Sequence, residues 1–351
     1  MKWEENVRKV VPYTPGEQPK NKDVIKLNTN ENPYPPSPKV QRAIEEMELE
    51  KMRLYPAFPE QTKLAEALAS YYRIDNEQIF IGDGSDDVLS LAFMTFFQSG
   101  KPVLFPDITY SFYDVWADLY RVPYETRALD EHFRIKPEDY MQPNGGVIFP
   151  NPNAPTGVLM GVDEVEKIVA ANRDVVVIVD EAYIDFGGIS CLPLIYKYDN
   201  LLVVQTFSKS RSMAGMRIGY AMGSPELIKY INDVKYSVNS YTMNYAALQL
   251  GVEAVEDTAY FNECCEKIIR TRERAEAELT RLGFTFPKSF GNFIFASHNR
   301  VPAQEIFERL KENDIYVRYW KKERINNYMR ITIGTDEQME ALYRALEKIC
   351  M

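Results

Sequence analysis

Lys209 comes directly after a mainly apolar strand pattern, residues 201–207, and one serine. A lysine in such a place is ordinarily a surface charge. Held out of water it gives up its proton more readily, and a neutral amine can form a Schiff base with a carbonyl. Asp180 follows five apolar residues, Val175 to Val179, so its carboxylate emerges at a sheet edge in a poorly solvated place. The plainer reading is a helix cap or a turn aspartate. Gly84, Ser85 and Asp86 open a helical pattern, where free backbone N–H groups and the helix dipole favour an anion. The side chain of Asp86 repels phosphate, so it is expected to cap its helix while its N–H faces the ligand. Residues 106–110 and 151–157 also follow strands. Ligands of open α/β sheets bind beyond the carboxyl ends of the strands, so these segments together describe a site for a phosphate-bearing aromatic cation.

The elements that must position them alternate. Strands are expected at residues 78–81, 102–105, 146–149, 175–179, 201–207 and 218–222, and helices at 86–97, 111–120 and 162–171. The run 175–179 is continuously apolar, as in a strand covered on both faces. Strand, helix and strand repeated in this way mean an α/β core with a mainly parallel sheet. After Ser240 the texture changes. One long helical stretch, about 241–282, leads to strands at 293–296, 315–318 and 329–333 and helices at 303–312 and 336–349, a smaller α+β module. The first forty residues carry seven prolines between Pro12 and Pro38. They read as an extended arm that lies on another surface, with Tyr13, Leu27 and Tyr34 to bury.

Composition excludes several classes. The 351 residues carry a formal net charge of −10 and a sequence pI near 5.0, which opposes nucleic-acid binding. No stretch reaches the ~18 apolar residues of a membrane span. The longest, 88–97, is interrupted by Ser90 and Thr95 and reads as a buried helix. The first residues are charged where a signal peptide is apolar. Cys191, Cys264, Cys265 and Cys350 fit neither a zinc spacing nor a disulfide framework. Reduced, structural cysteines in a cytoplasmic protein without a metal are the expectation.

Four motifs then occur in order: Asn151-Pro152-Asn153-Ala154-Pro155-Thr156-Gly157, Asp180-Glu181-Ala182-Tyr183, Thr206-Phe207-Ser208-Lys209-Ser210 and Gly215-Met216-Arg217-Ile218-Gly219. In order and spacing they resemble the fold-type I aminotransferases over nearly the whole chain. Asn28-Thr29-Asn30-Glu31-Asn32-Pro33, Arg53-Leu54-Tyr55-Pro56 and Met329-Arg330-Ile331-Thr332-Ile333-Gly334 resemble the histidinol-phosphate aminotransferase branch. The resemblance implies a fold-type I transferase dependent on pyridoxal 5′-phosphate. Its large domain, residues 40–245, has a mainly parallel sheet flanked by helices; an arm, 1–39, and a small α+β domain, 246–351, complete it. Lys209 is implied as the Schiff-base lysine and the proton shuttle between Cα and C4′. Asp180 is implied to keep the pyridine nitrogen protonated, and Tyr183 to bond the phenolic oxygen. Tyr110 would stack on the ring. Gly84, Ser85, Asp86, Ser208 and Arg217 would hold the phosphate, with Tyr55 reaching it from the neighbouring subunit of a homodimer. The residue before Pro155 is commonly asparagine in the family and contacts the phenolic oxygen, but here it is Ala154. Asn153 or Asn151 is expected to replace that contact, or Tyr183 to work without it.

For the substrate, Arg330 is similar to the arginine that holds either a phosphate or the carboxylate of the oxo acid, one planar fork serving both. Arg318 looks like its helper. Tyr13, Asn30 and Glu31 would close over the substrate, Glu31 as a partner for imidazole. The expected reaction moves an amino group between L-histidinol phosphate and 2-oxoglutarate, in histidine biosynthesis. Threonine-phosphate decarboxylation and broad aromatic transamination on the same site are the rival chemistries. A cofactor-binding transcription regulator and a plain structural protein are the rivals of another class.

Overall fold

Continuous apolar strands can be buried on both faces only where helices cover both sides of a sheet, and the chain is built that way. The computed structural model describes residues 2–19, 23–58 and 61–351. Strand β1 (Ile25–Leu27) precedes helices α1 (Pro38–Glu45) and α2 (Lys63–Tyr72). Then come β2 (Ile79–Asp83), α3 (Gly84–Phe96), β3 (Val103–Pro106), α4 (Tyr113–Tyr120), β4 (Tyr124–Arg127), β5 (Val147–Pro150), α5 (Val162–Ala171), β6 (Val177–Asp180), β7 (Leu201–Thr206) and β8 (Ile218–Met222). Strands β2 to β8 form one sheet in the order β2-β8-β7-β6-β5-β3-β4. The pairs from β4 through β7 are parallel, and β8 runs antiparallel to both its neighbours. On one face Leu64, Leu68, Val165 and Ile168 pack against Val177 and Val203. On the other, Val88, Phe93 and Trp116 pack against Ile148, Ile178 and Val204. The sheet therefore presents the carboxyl ends of β3, β5, β6 and β7 along one edge, where ligands of such sheets bind.

The rest of the chain adds α6 (Pro225–Val238), α7 (Tyr245–Glu256), α8 (Thr258–Arg281), β9 (Phe284–Thr285), β10 (Phe293–His298), α9 (Ala303–Glu312), β11 (Ile315–Tyr319), β12 (Met329–Thr332) and α10 (Asp336–Cys350). A second sheet runs β1-β11-β12-β10-β9, and α8, α9 and α10 supply Ile268, Leu279, Ile306, Leu310, Leu342 and Leu346 to its core. Strand β1 pairs in parallel with β11, Ile25 opposite Ile315 and Leu27 opposite Val317. Among the described residues no helix is long and apolar enough to cross a membrane.

The structure differs from the sequence expectation in places that have physical causes. The stretch 241–282 is two helices, not one. Asn244 caps α7 by accepting from Ala247 N at 2.8 Å, and Asp257 caps α8 by accepting from Tyr260 N. Ala247, Leu248, Leu250 and Ala254 of α7 belong to the core of the larger sheet, so the hydrophobic contacts divide the chain after α7 rather than at its start. The arm is not only an extended strap, because β1 within it is an edge strand of the smaller sheet. Helix α6 was not expected, although Ser224 caps it through Leu227 N and Pro225 opens it, a legible start signal. Strand β4 is a short exposed edge with no apolar alternation.

One buried side chain of α8 ties the two parts together. Arg272 Nη1 donates to Phe186 O at 2.9 Å and to Gly291 O at 2.8 Å. Arg272→Ala strands both carbonyls and is expected to cost about 3 kcal/mol in urea unfolding; a loss below about 1 kcal/mol would show that water replaces the fork.

Candidate active site

Two adjoining cavities lie over the sheet edge. The inner one, about 170 Å³, is lined by Ser85, Asp180, Tyr183, Ser208, Lys209 and Arg217 among others. The outer one, about 510 Å³, is lined by Tyr13, Tyr110, Lys209, Arg318, Trp320 and Arg330 among others. Lys209 borders both. A larger cleft of about 750 Å³ lies elsewhere, between residues 130–138 and 285–290.

Lys209 follows the end of β7 on a turn held from several sides. Its Nζ donates to Thr29 O at 3.2 Å and stands 5.8 Å from the Tyr183 ring. Asn32 Nδ2 donates to the carbonyls of Lys209 and Ser210, at 3.0 and 3.2 Å. Ser210 Oγ donates to Asp185 Oδ2 at 2.5 Å. Ser208 is fixed through Thr206, whose hydroxyl donates to Ser208 Oγ at 3.0 Å.

Asp180 ends β6 and is 5% exposed. Its carboxylate accepts from Tyr113 Oη at 3.1 Å and from Ala182 N at 3.2 Å. Burial pushes its carboxyl up to about 7, and these two donors only partly oppose the shift. Among the described residues no cation pairs with it.

At the start of α3, Gly84 has a φ of +83°, and a Cβ there would collide with the Arg217 guanidinium. Arg217 Nη2 donates to Asp86 Oδ2 at 3.1 Å. Tyr110 Oη donates to Asp86 Oδ1 at 2.7 Å. Asp86 therefore does not cap its helix as expected, since both its oxygens hold side chains across the cavity. Asp87 Oδ2 accepts from Asp83 N instead, at 2.9 Å. Tyr110 sits edge-on to Tyr113.

The expectation for Asn153 is corrected. Its Nδ2 donates to Ile108 O at 3.1 Å and to Thr156 Oγ1 at 2.9 Å, and the residue does not line the inner cavity. Asn151 is likewise turned inward, exchanging bonds with Met160 N and O. Ala154 lines both cavities and offers no side-chain donor.

In the outer cavity, Arg330 Nη2 donates to Asn28 O at 3.1 Å, while its buried Nε has no partner. Burial lowers its proton affinity, and the neighbouring Arg318 charge adds to this. Arg318, expected to help Arg330, holds the arm: its two Nη atoms donate to Pro15 O and Thr14 O, at 3.1 and 3.2 Å. The arm in turn lays Tyr13 against Phe112, ring centroids 4.0 Å apart. Trp320 stands 5.4 Å from each arginine carbon. It was missed in the sequence, although it lies two residues after Arg318, just past the end of β11, where the extended chain still places i and i+2 on one face. Tyr113 and Asn32 were missed too. Asn32 lay inside the motif already singled out, whereas Tyr113 carried no signal beyond a core aromatic.

Three expected residues are placed differently from the rest. Glu31 borders the inner cavity but both its oxygens face Lys26 Nζ at 2.7 Å. Asn30 is fully buried and lines neither cavity. Tyr55 is 81% exposed and packs on Tyr241 at 4.6 Å, outside both cavities.

The profile of the aminotransferase class I and II family matches residues 22–346. The chain belongs to this family. The aminotransferase is 50% identical over 347 residues to a histidinol-phosphate aminotransferase of Clostridium beijerinckii, covering 99% of this chain and 97% of the relative. It is also 50% identical over 344 residues to one of Pseudomonas putida, covering 98% and 99%. Among solved structures it is similar to the histidinol-phosphate aminotransferase of Sinorhizobium meliloti in complex with pyridoxal-5′-phosphate. That likeness has a TM-score of 0.85, covers 93% and 90% of the two chains and is 23% in identity, so it speaks for the fold alone.

The inner cavity fits the pyridoxal phosphate of this family. A buried carboxylate without a cation suits a protonated ring nitrogen, and the amine of Lys209 borders the same space. Arg217, Ser208 and the open amino end of α3, which has no side-chain cap, suit a phosphate.

Because the fold raises the Asp180 pKa above its unfolded value, ionising it costs stability progressively between about pH 4 and 7, and the full cost stands above pH 7. Asp180→Asn removes that cost, on the order of a few kcal/mol. The cofactor-free variant should therefore melt higher than the parent at pH 8, with the gap closing toward pH 5, while turnover of the loaded variant collapses. An equal or lower melting temperature at pH 8 would contradict the desolvation account.

Proposed function

We propose that this aminotransferase moves an amino group between L-histidinol phosphate and 2-oxoglutarate, giving imidazole acetol phosphate and L-glutamate. The observation that carries the reading is Lys209 at the junction of two cavities, one ending in a buried carboxylate and the other in a half-buried arginine whose buried Nε has no partner. The relatives at 50% identity over nearly the full chain support the choice of donor. Bound pyridoxal phosphate supplies the carbonyl that takes the amino group and a ring that accepts the electrons left at Cα.

The residues of the chain do the rest. Lys209 Nζ takes the proton from the donor Cα and returns it on the cofactor side, and Asp180 holds the proton of the ring nitrogen. Arg217, Ser208 and the amino end of α3 fix the phosphate. Arg330 receives the donor's phosphate and, in the second half-reaction, a carboxylate of the oxo acid, because a guanidinium fork matches both anions. Arg318 holds the arm over the outer cavity, which excludes water from the reacting atoms.

A coupled assay of purified protein with 2-oxoglutarate should give glutamate from histidinol phosphate far faster than from phenylalanine. It should release no carbon dioxide from threonine phosphate. Lys209→Ala should abolish turnover and the borohydride-reducible adduct. Carbon dioxide release, equal rates with phenylalanine, or turnover by Lys209→Ala would each reject the assignment.

The reading extends to a homodimer with shared sites in the cytoplasm. Leu49, Met52, Leu54 and Tyr55 are all exposed, and Tyr55 and Phe58 form an aromatic patch with Tyr241. A surface of this kind suits a partner subunit. All four cysteines are unpaired, as in a reducing compartment. Sedimentation should give twice the chain mass, and Tyr55→Phe should speed cofactor loss on dialysis about tenfold, the weight of one hydrogen bond to a charged group. A monomer that retains full activity would remove the shared site.

A further inference from the structure

Tyr183 Oη receives a hydrogen bond from Asn30 Nδ2 at 3.0 Å. Asn30 in turn is fixed at every polar atom. Its Oδ1 accepts from Thr332 Oγ1 at 3.0 Å, its N–H donates to the same hydroxyl at 3.1 Å, and its carbonyl accepts from Asn292 Nδ2 at 3.0 Å. The residue holds a φ of 56°, a left-handed conformation that asparagine tolerates better than most.

The direction of that amide has a chemical consequence. A hydroxyl that accepts a hydrogen bond keeps its own proton free, and donates it more strongly because linked hydrogen bonds polarise one another. With Nδ2 toward Tyr183, the phenol proton is left for a group in the inner cavity. With Oδ1 there, the amide would consume it. Thr332 favours the first arrangement, since its hydroxyl accepts from Asn30 N and gives its proton to Oδ1. Nearby, Ala154 has no donor to offer the same space, and Asn151 and Asn153 are turned away.

We infer that Thr332, Asn30 and Tyr183 form a buried positioning relay. It makes the Tyr183 hydroxyl the donor to the cofactor's phenolic oxygen where position 154 supplies none. Asn30 touches neither substrate nor cofactor and acts through Tyr183, in place of the substrate contact expected of it from the sequence. The inference rests on the pyridoxal-phosphate reading of the inner cavity.

The readout is the pH at which the visible absorbance of the cofactor-loaded protein changes. A donor on the phenolic oxygen stabilises its negative charge and loosens its hold on the proton at Lys209 Nζ, so a better donor lowers that pH. Thr332→Val frees the Asn30 amide to turn and should raise it by a few tenths of a unit. Asn30→Asp, whose carboxylate takes the Tyr183 proton, should raise it by on the order of one unit. Ala154→Asn adds a second donor and should lower it. The charged groups lining the two cavities, Lys209, Arg217, Arg318, Lys322, Arg330, Asp86, Asp180 and Glu31, are untouched by all three changes. Should Asn30→Asp fail to fold, Thr332→Val and Ala154→Asn carry the test. A transition that stays in place or moves the other way in these variants, with a normal visible band, overturns the relay alone. A parent protein with no visible band after cofactor addition overturns the cofactor reading, and the relay with it.

Discussion

The site depends on a carboxylate kept where water does not reach it. Asp180 is the last residue of a central strand whose other side chains are wholly buried, so it cannot turn outward without breaking the sheet. Two neutral donors hold it, and neither supplies a charge. A protein that buries an acid in this way bears a standing electrostatic cost in the cofactor-free state, which a cationic ring offsets on binding. The strand's continuous apolar character and the chemistry at its end are thus one design: the first excludes solvent so that the second can act.

Around that fixed point the chain brings two sheets to bear on one amine. The larger sheet delivers Lys209, Asp180 and the amino end of α3 from strand ends that share an edge. The smaller sheet delivers Arg330 and Arg318 from β12 and β11. Between them runs the amino-terminal segment, in which β1 is a strand of the smaller sheet while Asn32, a few residues on, grips the turn that carries Lys209. Long side chains in this region are held by backbone carbonyls, and such bonds keep them extended without neutralising their charge.

Much of this was legible in the chain itself. The strands at β2, β3, β5 to β8 and β10 to β12 announce themselves as apolar runs, and the ends of five of them carry residues that meet at the inner cavity. What escaped has local causes. Strand β1 has three residues and takes its pairing from β11, hundreds of positions away, so no local period reveals it. The break at Asp257 is a cap inside an otherwise helical pattern. Asn153 was expected in the cavity because adjacent positions of a motif look interchangeable on paper. In the fold, the turn from Asn153 to Val158 closes on itself through Asn153 N to Val158 O and Gly157 N to Asn153 O. The asparagine therefore faces the loop and the alanine faces the site. The part played by Tyr113 was invisible for another reason, since a buried tyrosine advertises its ring and not its hydroxyl.

Two successive carbonyls of the amino-terminal segment hold one basic side chain each. Asn28 O accepts from Arg330 and Thr29 O accepts from Lys209. The basic side chains that border the two cavities are therefore gauged against neighbouring peptide units, whose planes are stiff and whose α-carbons sit about 3.8 Å apart. For a donor that reaches from Lys209 to Arg330, as the proposed reaction requires, that spacing is a ruler that does not stretch.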